Sequence, residues 1–415
     1  MSDVVERFLR YVQVPSSSDS EAGEGGTPST PEQHDMARLL ERELLELGLE
    51  DVRRDGHAYV TASLPASPQA CDLPALGLIA HVDTVPGVPG GPVRPHVVRY
   101  EGGDLVVGAP GGRPVSVSPA ECPQLDDLVG EDLICSDGTT LLGADDKAGV
   151  AGICALLARL VADPSLPHPA LRVAFVPDEE IGHGAALLDL DAFGAAWAYT
   201  VDGNEVGEVS WETFSAAEAT VTLRGVQTHP GAAKGVMVNA TSLFREFDAA
   251  LPAGERPELA EGREGFFHCL SVQGDDGCVR ARYILRDFDD EVLAGRKKAL
   301  GRAADAVRAA HPTARVEVEV RDQYRNMASA LSGRMFLVDN ALAACRDVGV
   351  EPVVRPVRGG TDGSQLSERG LPCPNLGTGG LCFHSVREFV PVRALELQVD
   401  MLERLVARFA VPQGA

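Results

Sequence analysis

Four short apolar runs, LGLIA (76–80), LRVAFV (171–176), AWAYTV (196–201) and PCPNLG (372–377), punctuate a chain in which helical patterns lie between several of them. Strand and helix in alternation predict an α/β fold, a mostly parallel sheet flanked by helices. The residues that follow each run narrow the possibilities further. His81 follows the first, Glu179 and Glu180 the second, Asp202 the third, and His384 stands in the loop beyond the fourth. Open parallel sheets place their ligands at the carboxyl ends of the strands. Metal-suitable side chains are thus expected together at one edge of one sheet.

The chain has 415 residues, too many for one compact core, and the alternation breaks between 213 and 324. There a strand (AEATVTLRG) leads to a helix from Asn239, a hairpin turning at GDDG, a long helix (DDEVLAGRKKALGRAADAVRAA) and a last strand (ARVEVEV). This β-α-β-β-α-β order predicts a ferredoxin-like α+β domain. Residues 1–212 and 325–415 are then two segments of one α/β domain, interrupted by an insertion at 213–324. An exposed edge strand in that insertion would allow two copies to pair as a homodimer. Near the amino terminus, PSSSDSEAGEGGTPST reads as a mobile loop. It ends at Thr30, Pro31 and Gln33, which match a capping box at the start of a helix.

Composition excludes several classes. No apolar run approaches the ~20 residues that span a bilayer, which argues against a membrane protein. A formal net charge of -24 opposes binding to a phosphate backbone, so nucleic acid is not an expected partner. The amino terminus lacks the basic start and apolar stretch of a secretory signal, and a cytoplasmic location is expected. Nine cysteines without a Cys-x-x-Cys pair suggest reduced thiols rather than a disulfide framework or a cysteine-built zinc site. RGGTDG and GTGG lack the spacing of a nucleotide-binding loop.

Candidate ligands come instead from AHVDT, GADDKAG, PDEEIG, TVDGN and CFHSV. Taken singly, a histidine after a strand is usually structural and an acidic triplet usually solvated. Taken together, two imidazoles and several carboxylates suit zinc, or less selectively cobalt or manganese, with oxygens enough for two ions. Asp145 is the candidate bridge between them. His81 and Asp83 lie two apart on a strand and point to one side, so His81 can ligate while Asp83 orients it. Glu180 would ligate the second ion, leaving Glu179 free as a general base. Asp145 is expected at a helix start, where free N–H groups favour a carboxylate. Lys147 is expected to balance local negative charge.

HVDT, TTLLGADDKAGVA, PDEEIG, YTVDG, HPGAAKGVMVNA, YILRDFD, RGGTDG and FHSVREF, in that order along nearly the whole chain, resemble the dinuclear-zinc exopeptidases and amidohydrolases. TTLLGADDKAG and HPGAAKGVMVNA resemble most closely the tripeptide aminopeptidases of that family. The resemblance implies a catalytic domain with two zinc ions, interrupted by a lid domain. It implies that His81, Asp145 and Asp202 hold one ion, that Asp145, Glu180 and His384 hold the other, that Glu179 is the base, and that Asp83 supports His81. It also implies that His229 reaches the substrate carbonyl and that Arg286, Asn326 and Arg358 lie in substrate-binding segments. Asn204, where a second glycine is common, and Cys382 depart from the pattern without removing a ligand. The expected activity is release of the N-terminal residue from short peptides, tripeptides above all, by a zinc-activated water. A dipeptidase, a carboxypeptidase or an N-acyl amino acid deacylase would need the same metal motifs. A catalytically silent peptide-binding protein would need neither the base nor the full ligand set.

Overall fold

In a computed structural model that describes residues 1–413, the apolar runs form the middle of an eight-stranded mixed sheet. Its order is Glu50–Arg54, Val60–Leu64, Leu171–Val176, Leu76–His81, Trp197–Val201, Asn375–Leu376, Glu208–Ser210 and Val353–Val354. The four central strands, from Leu171–Val176 to Asn375–Leu376, run parallel, and the strands on either side of them are antiparallel to their central neighbours. All six residues of Leu76–His81 are buried, because helices cover both faces.

One face is covered by the helix Ala144–Ala162, with Asp3–Tyr11 and Val392–Arg408 packed on it. Its small residues allow a close approach to the sheet: a side chain at Gly149 would collide with the Val201 carbonyl oxygen. That approach draws Asp145 and Asp146, at one end of the helix, towards Asp202, which directly follows Val201. On the other face Ile79, Ala174, Val176 and Ala198 pack with Leu188, Phe193 and Leu366. Among the described residues no helix is long and apolar enough to cross a membrane. The nine cysteines are unbridged.

The chain divides into two compact units, 1–211 with 329–355 and 361–415, and 212–328 with 356–360. The short return 356–360 groups with the second unit because Phe214 donates to the Val357 carbonyl and Val357 to that of Glu212. The second unit has a four-stranded antiparallel sheet in the order Phe266–Gly274, Cys278–Asp287, Ser215–Arg224, Arg315–Tyr324, the ferredoxin-like arrangement. The helices Ala240–Ala249 and Asp290–Ala310 bury Leu243, Phe247, Leu293 and Leu300 against Val221, Leu223 and Tyr283. Asn239 and Asp289 cap them, each accepting two backbone N–H groups of the first turn.

Two local expectations are corrected. The helix after the polar loop begins at Gln33 and has no capping box at Thr30. The Gln33 amide nitrogen still donates to the Thr30 hydroxyl at 3.2 Å, but its oxygen accepts the Asp178 N–H, and the Thr30 hydroxyl donates to the Ser17 carbonyl. The loop itself is anchored beside residues 82–84. Ser18 N–H donates to the Thr84 carbonyl, Thr84 N–H to that of Ser16, and the Ser16 hydroxyl to that of Val82.

Candidate metal centre

His81 ends its strand almost fully buried. Its Nδ1 lies 3.0 Å from the Asp83 carbonyl oxygen and 3.4 Å from the Asp83 carboxylate. With Nδ1–H committed there, Nε2 faces Asp145 Oδ1 at 3.0 Å and Asp202 Oδ1 at 3.7 Å. The second oxygen of Asp145 lies 3.1 Å from Nε2 of His384, and the same nitrogen is 3.0 Å from Glu180 Oε1. Asp145 therefore presents one oxygen to each histidine. The structure brings His81, Asp145, Glu180, Asp202 and His384 into one cluster, all within the first unit. His81, Asp145 and Glu180 form one potential ligand triad, with ligand atoms within 4.8 Å of one another, and His81, Asp146 and Asp202 form a second.

The electrostatics call for a cation. Burial, with the Asp362 and Asp202 carboxylates beside it, pushes Glu179 well above the usual carboxylate range. Burial raises Glu180 to about 7, raises Asp202, and raises Asp362 to about 7. Burial works against the charge of His81 as well, but Asp202, Asp145 and Asp83 outweigh it and lift its pKa well above 6.5. The Asp145 and Glu180 carboxylates close to its Nε2 raise His384 to about 10. Among the described residues no Arg or Lys pairs with these carboxylates. Glu180 Oε1, though close to His384, has no aligned hydrogen-bond donor. A buried carboxylate oxygen without a donor and an imidazole nitrogen facing carboxylates fit a divalent ion with mixed N and O ligands.

The Asp83 carboxylate has its closest contacts elsewhere than at His81. It accepts the N–H of Glu179 at 3.0 Å and of Glu180 at 3.2 Å. No hydrogen bond or ion pair engages the Glu179 carboxylate among the described residues.

The surroundings of Asp145 differ from expectation. Asp145 and Asp146 have non-helical backbone angles, and the helix is capped by Asp146, whose Oδ1 accepts the Gly149 N–H. The same carboxylate accepts the His81 N–H through Oδ2. The free N–H groups of the turn go to Glu388, which accepts those of Leu142, Gly143 and Asp145. Lys147 is no surface lysine: it is buried and donates to the Val14 carbonyl, and burial lowers its pKa to about 7. Asp146, Glu388 and Asp362 were not singled out from sequence. A second acid beside a candidate ligand was the only local signal, and it marks Asp146 alone.

The remaining expected site residues lie in the second unit. His229 is exposed, and its Nδ1 accepts the Gly231 N–H. Arg286 donates to the Ala217 and Leu285 carbonyls and lies over the Tyr324 ring. Asn326 accepts the Thr213 N–H and donates to the Phe288 carbonyl. Arg358 donates to the carbonyls of Ala260, Gly262 and Glu264 and stacks over Phe214 and Phe266.

Comparison with known proteins places this geometry in context: the chain belongs to peptidase family M20/M25/M40, whose family model matches residues 142–408. Within that family the relatives resembled in sequence are peptidase T enzymes, among them that of Vibrio parahaemolyticus, 44% identical over 417 aligned positions that cover 100% of both chains. The fold is likewise that of the aminopeptidase PepT from Bacillus cereus, with a TM-score of 0.77 at 23% identity over 99% of this chain and 98% of that one. A dinuclear metal-binding M20 peptidase from Bacillus subtilis matches with a TM-score of 0.65 at 15% identity, covering 98% and 97%.

Proposed function

We propose that this protein is a dinuclear zinc aminopeptidase that removes the N-terminal residue from short peptides, tripeptides above all. The observation that carries the reading is the placement of Asp145 between His81 and His384, with Glu180 and Asp202 on either side. His81, Asp145 and Asp202 would hold one ion, and Asp145, Glu180 and His384 the other. Zinc in such a site lowers the pKa of a water and polarises a scissile carbonyl. Cobalt or manganese could substitute in this donor set.

The chain's own residues supply the proton transfers. Glu179, unengaged and raised in pKa, takes a proton from the attacking water on its carboxylate and returns it to the leaving amine as the peptide bond breaks. Asp83 fixes the backbone of that base through the Glu179 and Glu180 N–H groups. His229 keeps Nε2 unengaged among the described residues, which suits contact with a substrate oxygen, and Arg286 and Asn326 belong to the same substrate-binding proposal. Asp362 adds negative charge beside Glu179 and so favours the protonated base after the first transfer. The unbridged cysteines fit action in a reducing compartment such as the cytoplasm.

The test is product analysis by mass spectrometry. Zinc-loaded protein and a chelated control are incubated with one tripeptide and with its dipeptide, tetrapeptide and N-acetylated relatives. Chelator-sensitive release of the first residue, fastest from the tripeptide, is expected. Cleavage of the acetylated peptide or the dipeptide instead would assign a deacylase or dipeptidase activity to the same metal centre.

A further inference from the structure

Directly before the Glu179–Glu180 pair stands Asp178, a residue to which the sequence pattern assigns no role. It is fully buried and adopts φ +59°, a left-handed conformation that L-residues take reluctantly. Its carboxylate accepts three hydrogen bonds: from Ser29 N–H at 2.8 Å, from the Ser29 hydroxyl at 2.6 Å, and from Gln33 Nε2 at 2.6 Å. Its own N–H donates to Gln33 Oε1 at 3.0 Å, so one buried glutamine amide holds both the backbone and the side chain of Asp178. The Asp178 carbonyl accepts the His183 N–H at 2.9 Å, which closes the turn that carries both glutamates. Ser29 and Gln33 end the segment that is also hydrogen-bonded alongside residues 82–84, so one stretch of chain grips the exits of two ligand-bearing strands.

We propose that Gln33, Ser29 and Asp178 form a polar clasp that fixes the turn carrying Glu179 and Glu180, which makes Asp178 and Gln33 positioning residues for the hydrolysis. The proposal rests on the reading of Glu179 as the base. If the clasp opens, the strained backbone at Asp178 relaxes and the following peptide plane rotates, carrying both carboxylates with it. A displacement of about 1 Å at a reacting group can cost on the order of 100-fold in rate. The pattern of donors is reciprocal: the glutamine offers N–H to the carboxylate and oxygen to the backbone N–H, so a single amide engages both groups of the aspartate.

That reciprocity supplies the test, a polarity swap. Asp178→Asn alone sets the new amide donor against the Gln33 amide, and Gln33→Glu alone sets two carboxylates against each other. Together they restore the bonds with the partners exchanged. The amide now at position 178 donates to the carboxylate now at position 33 and to the Ser29 hydroxyl, the backbone N–H still finds an acceptor, and the total charge is unchanged. Each single variant should lower kcat about 10- to 100-fold with KM changed less than about threefold, and should weaken zinc affinity, read by chelator competition, by a similar factor. The double variant should recover both to within about threefold of the parent, the coupling that a double-mutant cycle measures. Parent-like kcat in both single variants, or a folded double variant no better than the singles, overturns the proposal. Should the double variant not fold, Ser29→Ala decides: reduced kcat at unchanged Tm supports the clasp, and unchanged kcat overturns it. Glu179→Ala is run in parallel. If it keeps turnover, the assignment of the base is wrong; if it is inactive while the clasp variants behave as the parent, only the clasp is wrong.

Discussion

Glu388 and Asp145 are joined through the backbone: the Glu388 carboxylate accepts the Asp145 N–H at 3.0 Å, with those of Leu142 and Gly143 at 2.8 and 2.7 Å. Since Glu388 is four residues past His384, this contact ties the loop of one candidate ligand to the turn of another. Glu388→Gln keeps the size but replaces one acceptor oxygen with an NH₂ group facing backbone donors. Zinc affinity should fall about 10- to 100-fold by chelator competition. Parent-like affinity in the folded variant would show that the turn around Asp145 holds without this carboxylate.

The Glu179 carboxylate has no hydrogen-bond or ion-pair partner among the described residues, and its removal should leave the ligand cluster intact. Glu179→Ala is expected to bind the same number of zinc ions as the parent, by elemental analysis, while kcat falls by about 10²- to 10⁴-fold. Turnover near the parent level in the metal-loaded variant would falsify the assignment of the base.

Acidity should act on the metal-free protein in a defined direction. Burial holds Glu180 and Glu388 up at about 7 from 4.5, and Asp362 at about 7 from 3.8. Between roughly pH 4.5 and 7 the folded state keeps protons that the unfolded state has released, so their contribution to stability is complete below that window and lost as pH rises through it. His384, raised from 6.5 to about 10 by Asp145 and Glu180, adds a loss in the same direction at higher pH. Asp145 is shifted the other way, below 3.8, and its contribution is lost only on strong acidification. The Tm of chelator-treated protein should therefore fall between about pH 5 and 8, while the increase in Tm on adding zinc grows, because bound zinc takes the place of the protons on Glu180 and His384. Calorimetry across that range measures both, and a metal-free Tm that climbs with pH would contradict the assignment.

Arg358 spends its guanidinium on three carbonyls of residues 260–264 and on the faces of Phe214 and Phe266. Arg358→Ala should destabilise the protein by about 2 kcal/mol, the scale of lost charged hydrogen bonds, in urea unfolding. If the parent prefers a peptide with a free carboxyl terminus over its amide, as an arginine fork at the end of a short substrate would favour, that preference should stay unchanged in the variant. A loss of that preference with full stability would assign Arg358 to the substrate instead.

How much of this was legible in the sequence depended on distance along the chain. His81 and Asp202 stand at or directly after the ends of strands with clear apolar patterns, and the shared edge of a parallel sheet made their meeting predictable. The ferredoxin-like order of the second unit followed from local periodicity and the turn at GDDG. Glu388, Asp178 and Asp362 could not be found in this way. The residues they meet lie far away in sequence, Glu179 for Asp362 and Gln33 for Asp178, the latter pair 145 residues apart. A buried carboxylate that accepts backbone N–H groups leaves no periodic trace. The polar segment before Gln33 misled for the same reason: serines that would suit a mobile loop are here committed to backbone partners near residues 82–84.

The second unit starts and finishes side by side. Ala216, near its beginning, is paired with Tyr324, near its end, on neighbouring antiparallel strands. To the rest of the chain the whole insertion is therefore a loop whose ends already meet, and the entropy of closing it is borne by its own sheet. Such a module can be lengthened, exchanged or shortened in descent without moving the strands that carry His81 and Asp202. If His229, Arg286 and Asn326 meet the substrate as proposed, substrate preference can diverge by changes in the insertion while the metal ligands stay as they are.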